Sequence, residues 1–349
     1  MQHPKTTLET PIETSSKQTS DGNSLESVSP DIHNVNHEFL QDVVKGLNSL
    51  PKQLYSKYFY DSEGDKIFQK IMAMEEYYLT NAEFEILDSY KQDFLQQFSS
   101  EQQAFDLIEF GAGDGYKTKL LLEHFTLANA NFKYIPIDIS GNILQILHKN
   151  VKDEFPNLNI EPIEGEYFQS LEILQKSDSN KKVVLFLGAN IGNFDDTEIE
   201  KFIKHLADDL HTGDMVLIGF DLKKNPESIL EAYNDKKGIT RDLNLNLLKR
   251  INNNLGGNFD INSFQHFPSY NPINGETTSF LVSTKEQEVY LEKADAHFHF
   301  KAWEAIHMEI SRKFDIESIE RFAGKAGFTV VKNYYDSKGF FVDSLWQKA

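Results

Sequence analysis

The sequence predicts an α/β protein built on a doubly wound, mostly parallel sheet, with a discontinuous second domain of α+β character. Three observations carry that expectation. Short apolar segments alternate with helical patterns from residue 105 onward, a Gly-rich turn follows the first of them, and an excursion of about ninety residues (223–314) lies between the fifth and a terminal hairpin. Apolar runs that are continuous rather than alternating belong to a parallel sheet covered on both faces by helices.

Taken in order, residues 1–30 hold 11 Ser/Thr, three Pro and no aromatic residue. Such a segment cannot bury enough apolar surface to offset the entropy of ordering, so 1–34 reads as a disordered tail. Amphipathic helices follow in FLQDVVKGL, GDKIFQKIM and NAEFEILDSYKQDFLQQF, where Phe84, Leu87 and Tyr90 recur near the helical period. Five strands come next: FDLIEF (105–110), KYIPID (133–138), NIEPIEG (159–165), KVVLFLG (182–188) and DMVLIGFD (214–221). TVVKNYYD and GFFVDSLWQ close the chain as a hairpin around Ser337-Lys338-Gly339. Five parallel strands ending in a hairpin are the strand inventory of the class I methyltransferase variant of the doubly wound sheet.

The long excursion before the hairpin exceeds a crossover connection of ~2–6 residues many times over, so it forms substructure of its own. Its first part, ESILEAYNDKKGITRDLNLNLLKRINNNLG, is helical up to the Gly256-Gly257 breaker, and a β-rich part runs from about Thr277 to Phe314. The expected division is a core of 82–222 and 315–349, and a second domain of 35–81 and 223–314. A cleft between two such units is a common small-molecule site.

Composition narrows the function. The chain has 349 residues, 40% hydrophobic, with 27 Phe and 14 Tyr, enough for a sizeable core. With 35 Lys+Arg against 54 Asp+Glu the formal charge is −19, which repels phosphate backbones, and no basic run offsets it, so no nucleic-acid partner is expected. Zero cysteines exclude disulfides, thiolate metal sites and a cysteine nucleophile. No stretch approaches the roughly 20 apolar residues of a bilayer span and no signal peptide is legible, so no membrane contact and a cytoplasmic location are expected. A monomer is the default expectation. His297 and His299 alternate without a third ligand at useful spacing, and no metal is expected.

Glu109-Phe110-Gly111-Ala112-Gly113-Asp114-Gly115 follows the first strand and leads toward a helix. Such a turn lets backbone approach a ligand and offers free N–H groups, although an ordinary tight turn has the same look. Asp138, at the end of the next strand, is placed to accept two ribose hydroxyls. The nicotinamide fingerprint wants Gly where this chain has Tyr116, which argues against an oxidoreductase. Glu166 and Tyr167 could bond and cover an adenine, and Gly188 could bring backbone close to a methionine moiety. Lys117, read from the residues alone, is equally a solvated helix lysine.

The sequence resembles the histidine-specific Nα-methyltransferases of ergothioneine biosynthesis over nearly its whole length after residue 45. The matching segments are YFYDSEGDKIFQKI, EEYYLTNAEFEIL, IEFGAGDGYKTKLLL, FLGANIGNF, EAYNDKKGITRDLNLNLLKRIN and FKAWEAIHMEISRKF. The resemblance implies S-adenosylmethionine as cofactor and an amino-acid substrate, L-histidine, whose α-nitrogen receives up to three methyl groups to give a betaine. It places cofactor contacts on Gly111, Lys117, Asp138, Glu166, Tyr167 and Gly188. Amino-acid contacts fall on Tyr77, Asn193, Tyr233, Glu309, Ile310 and Ser311, with Phe68 at an aromatic position beside them. Tyr60 and Tyr233 are the candidate catalytic residues.

Chemistry agrees with these residue types. A direct methyl displacement needs a neutral amine held in line, and an α-amino group with a pKa of about 8 is mostly protonated at neutral pH. Tyrosine hydroxyls and an Asn amide can hold such a group without burying an unpaired charge. In Ile306-His307-Met308-Glu309-Ile310-Ser311, strict alternation expects His307, Glu309 and Ser311 on one face and the three apolar residues on the other. Two departures from the family pattern, Ser279 and Asn190, add polarity. They leave open the same Nα-methylation of another amino acid, such as a tryptophan-like substrate. A binding protein that has lost turnover is the non-enzymatic alternative.

Overall fold

The computed structural model describes residues 32–99, 104–170 and 180–349. The expected tail therefore lies outside the described residues up to position 31, and helix α1 (Ile32–Asn48) already includes 32–34. After it come β1 (Lys52–Gln53), α2 (Ser62–Met72) and α3 (Tyr78–Phe98). Asp61 caps α2 by accepting from the backbone N–H of Gly64. α3 runs unbroken through the expected 81/82 boundary, so the chain changes direction at Tyr77, which packs against apolar residues on both sides of that joint.

The strands of the central sheet are β2 (Phe105–Phe110), β3 (Phe132–Asp138), β4 (Asn159–Ile160), β5 (Ile163–Glu164), β6 (Lys181–Phe186) and β7 (Met215–Asp221), completed by the hairpin β13 (Phe328–Tyr335) and β14 (Phe341–Lys348). Their order is β13-β14-β7-β6-β2-β3-β4, with β5 also on β3. β2 to β7 are parallel, and β14 joins β7 antiparallel. The expected single strand 159–165 is two short pieces, divided at Glu161-Pro162. Proline has no N–H to give the ladder, which accounts for the division.

β2 and β7 are buried along their whole length, as continuous apolar runs require. One apolar cluster, with Ile86, Phe94, Leu107, Leu185 and Leu345, covers one face of the sheet. A second, with Ile108, Phe186, Phe202, Ile218 and Trp346, covers the other.

The excursion supplies helices over Pro226–Tyr233 and Ile239–Leu255, then β8 (Phe264–Asn271), β9 (Glu276–Ser283), β10 (Gln287–Leu291), β11 (Ala296–Phe300) and β12 (Ala305–Arg312). Its β part thus starts at Phe264 rather than near Thr277. Pro268 hides that strand from pattern reading and is tolerated because β8 is the edge of the sheet β1-β12-β9-β8. A third apolar cluster joins Phe39, Phe59, Ile67 and Met74 to Leu247, Phe264, Phe300 and Met308, so segments far apart in sequence share one core. The excursion leaves and returns at one point: Leu222 bridges Phe314, and the Phe314 N–H donates to the Asp221 carbonyl at 2.8 Å.

Candidate active site

Strand β12 carries Glu309, Ile310 and Ser311, expected on the substrate side, and it places them through a bulge. His307 pairs with Phe280, and the next pairing is Glu309 with Ser279, so Met308 is extra. One extra residue inverts the alternation. Ile306 opposes the buried Leu281 before the bulge, while Glu309 opposes buried Ser279 and Ser311 opposes buried Thr277 after it. The expectation of strict alternation is therefore corrected. Glu309 and Ser311 share the inward face, whereas His307 and Ile310 face the other way with Phe280 and Thr278. The Ile310 side chain is not brought to the Glu309 face.

Around that face stands a chain of aromatic rings. Tyr60 meets Phe68 at 5.5 Å between centroids, Phe68 meets Tyr77 at 6.4 Å, and Tyr77 meets Tyr233 at 6.3 Å. Burial pushes the hydroxyls of Tyr60, Tyr77 and Tyr233 well above the usual tyrosine range, so all three stay protonated. Glu309 accepts no hydrogen bond among the described residues. Its carboxyl is pushed up to about 7 by burial, with Lys313 pulling the other way.

A polar hub that the sequence reading missed braces this wall. Lys313, fully buried, donates to the Tyr233 hydroxyl at 2.7 Å and to Ser311 Oγ at 2.9 Å, and ion-pairs with Asp221 at 2.9 Å. Tyr233 and Ser311 are themselves 2.7 Å apart. Tyr78 donates to Asp221 at 2.9 Å, and Lys224 pairs with the same carboxylate. The available signal was a lysine in ISRKF two residues after an inward-facing hydroxyl, and an aspartate ending the apolar run MVLIGF.

Asn193 reaches the same region by a close approach of backbones. A Cβ on Gly192 would lie 2.8 Å from the Arg312 carbonyl oxygen, so only glycine lets the 190–193 turn abut β12.

On the expected cofactor side the geometry is set by backbone. Gly111, Gly113 and Gly115 have φ of 70°, 57° and 69°, all left-handed, which accounts for the G-x-G-x-G spacing. A Cβ on Gly111 would sit 2.7 Å from both the Tyr167 hydroxyl and Asn190 Nδ2, while one on Gly113 would meet nothing within 4 Å. Asp138 accepts from the N–H of Gly113 and of Ser140, each at 2.9 Å. Burial raises its carboxyl above the usual range.

Lys117 lies just ahead of the helix Lys119–Leu127 rather than in its first turn, and ion-pairs with Glu83 of α3. The Gly188 N–H donates to the same Glu83, at 2.7 Å. Glu166 is held by Lys57 at 2.8 Å, and the Tyr167 ring packs edge-on against Phe110, Phe186 and Phe194. His297 and His299 face Glu288 and Glu286 across the β10–β11 hairpin.

The strand order with its terminal antiparallel hairpin, the left-handed glycine turn after β2 and the acid after β3 define a class I S-adenosylmethionine-dependent methyltransferase. The residues present fit that cofactor, with open space over Gly113 and a buried carboxylate beside it. The sequence profile of the S-adenosylmethionine-dependent histidine-specific methyltransferases matches residues 39–348, and this chain belongs to that family. Among its relatives is the histidine N-alpha-methyltransferase of Mycolicibacterium smegmatis, 30% identical over 87% of this chain and 93% of its own. Ergothioneine biosynthesis protein 1 of Schizosaccharomyces pombe is 30% identical over 81% of this chain and 37% of its own length. The L-tryptophan methyltransferase of Psilocybe serbica is 25% identical over 85% of this chain and 89% of its own.

Proposed function

We propose that the protein methylates the α-amino nitrogen of L-histidine, up to the trimethyl betaine, in the cytoplasm. The observation that carries this reading is Glu309: a buried carboxyl near the Tyr60, Tyr77 and Tyr233 hydroxyls that accepts no hydrogen bond among the described residues, with the Ser311 hydroxyl on the same face. An imidazole N–H is the kind of donor such a carboxylate lacks, and an apolar side chain would leave it unpaired.

The bound cofactor supplies an electrophilic methyl group on a sulfonium. The protein's task is to present a neutral amine. Tyr60 and Tyr233, both protonated, can hydrogen-bond the amino and carboxylate groups and fix the direction of the nitrogen lone pair. Tyr77 and Asn193 complete the grip on the amino acid, and Phe68 supports the Tyr60 and Tyr77 rings edge-on. Glu309 and Ser311 take the side chain. Gly111, Lys117, Asp138, Glu166, Tyr167 and Gly188 form the cofactor side in this reading. The proton of the α-ammonium leaves to solvent before the amine is enclosed. Residues 35–81 and 223–314 act together as the substrate-binding unit, in keeping with their shared core.

Incubating the purified protein with S-adenosylmethionine and each standard amino acid, then reading product masses, tests this. Histidine is expected to gain 1, 2 and 3 methyl groups in sequence, the valence limit of an amine. Methylation of tryptophan in preference to histidine would move the substrate while keeping the reaction class. Small, polar Ser279 opposite Glu309 is the feature that would favour that outcome.

A further inference from the structure

Glu83 is an acidic residue on the buried face of α3, with no exposed surface, and the mechanism above makes no use of it. Three elements converge on its carboxylate. The Gly188 N–H donates to both oxygens, at 2.7 and 3.0 Å. Lys117, from the turn after β2, ion-pairs with it. On a third side lies Asp343 of β14, also fully buried.

Strand β7 leaves room for this arrangement. Gly219 opposes Asp343 in the β7–β14 register, and a Cβ at that position would lie 2.3 Å from Glu83 Oε1. Any side chain there would occupy the carboxylate's place. Burial and the neighbouring Glu83 push the Asp343 carboxyl well up.

We propose that Glu83 is a positioning residue for the cofactor: it grips the Lys117 ammonium and the Gly188 N–H together and so sets the loop after β2 against the loop after β6. It does this from the helix that opens directly after Tyr77, which ties cofactor loops and substrate wall to one rigid element. The inference rests on Lys117 and Gly188 belonging to the cofactor site.

The test is calorimetric binding of S-adenosylhomocysteine to the full chain, with no amino acid present, alongside melting temperature. Glu83→Gln keeps an acceptor for the Gly188 N–H and removes the charge facing Lys117. Its dissociation constant is expected to rise about tenfold or more, with the histidine KM at saturating cofactor changed less than about twofold. If that variant fails to fold because its lysine is left buried and unmatched, the double variant Glu83→Gln/Lys117→Gln removes both charges at once. The double variant is expected to bind as weakly as Lys117→Gln alone. A folded Glu83→Gln with wild-type affinity, or a double variant clearly weaker than Lys117→Gln, overturns the proposal. Unchanged binding by Lys117→Gln alone would instead remove Lys117 from the cofactor site, and the proposal would fall at its premise.

Discussion

The two sides of the active site are built from different materials. On the proposed cofactor side, backbone does most of the work, through three left-handed glycines within five residues and N–H groups aimed at Asp138 and Glu83. On the proposed amino-acid side, side chains do it, and they come from residues 60–77, 193, 233 and 309–313. Backbone geometry leaves a compact signature in the sequence, because left-handed turns need glycine at fixed spacing. A pocket made of side chains from four segments leaves only scattered polar and aromatic residues, whose meeting depends on the fold.

Single substitutions separate the two halves. Asp221→Asn removes one partner from a buried cluster that holds Lys313, Lys224 and Tyr78. A loss of ~3–5 kcal/mol of stability in urea denaturation is expected, since two lysines would be left buried against a neutral amide. A loss below ~1 kcal/mol would mean the hub is only an accessory to the substrate wall.

Next is Glu309→Ala, which is expected to weaken histidine binding by ~1.5–3 kcal/mol, the range for a hydrogen bond to a charged group, with cofactor affinity retained. Isothermal titration with each ligand separates the two. Gly111→Ala should do the reverse. A left-handed backbone costs a non-glycine residue roughly 1–2 kcal/mol, and the added methyl crowds Tyr167 and Asn190, so cofactor affinity falls while Glu309 and its neighbours keep their arrangement. If both variants lost both ligands equally, the division between backbone-built and side-chain-built halves would be wrong.

A further effect is one of pH. Glu309 has its carboxyl raised from 4.5 to about 7 by burial, so the folded protein binds more protons than the unfolded chain in that interval. Stability from this group is fully present below pH ~4.5 and declines as pH rises toward ~7. Glu109 behaves alike, raised to about 7 by burial while accepting from Thr118 and Tyr134. Thermal melts across this interval should show a shallower decline in Glu309→Gln than in wild type, with the Glu109 part common to both. Parallel curves would place the Glu309 carboxyl in an ordinary solvated setting.

Much of the core sheet was legible because continuous apolar strands and helical periods are local signals. The features that escaped are those where one residue redirects the chain. Met308 is an ordinary apolar residue by type, yet as the extra residue of a bulge it decides which of its neighbours face the pocket. Pro268 argued against a strand that the sheet accepts at its edge. Glu83 was visible in principle, as a charge on the stripe Leu79, Ala82, Ile86 and Leu87 that α3 buries, but its partners lie 34 and 105 residues away. Lys313 and Asp221 escaped for the same reason, since an ion pair between strand ends has no spacing to read.

The bridge between Leu222 and Phe314 bears on how the chain is assembled. Closing a loop costs entropy that grows with the logarithm of its length, and non-local pairings slow folding for that reason. A long excursion whose two ends touch is a detour that shuts at its own base. Once that base has formed, the hairpin β13–β14 reaches β7 across a contact between near neighbours, so the added lobe lengthens the polypeptide without lengthening the search by which the last strands find the sheet.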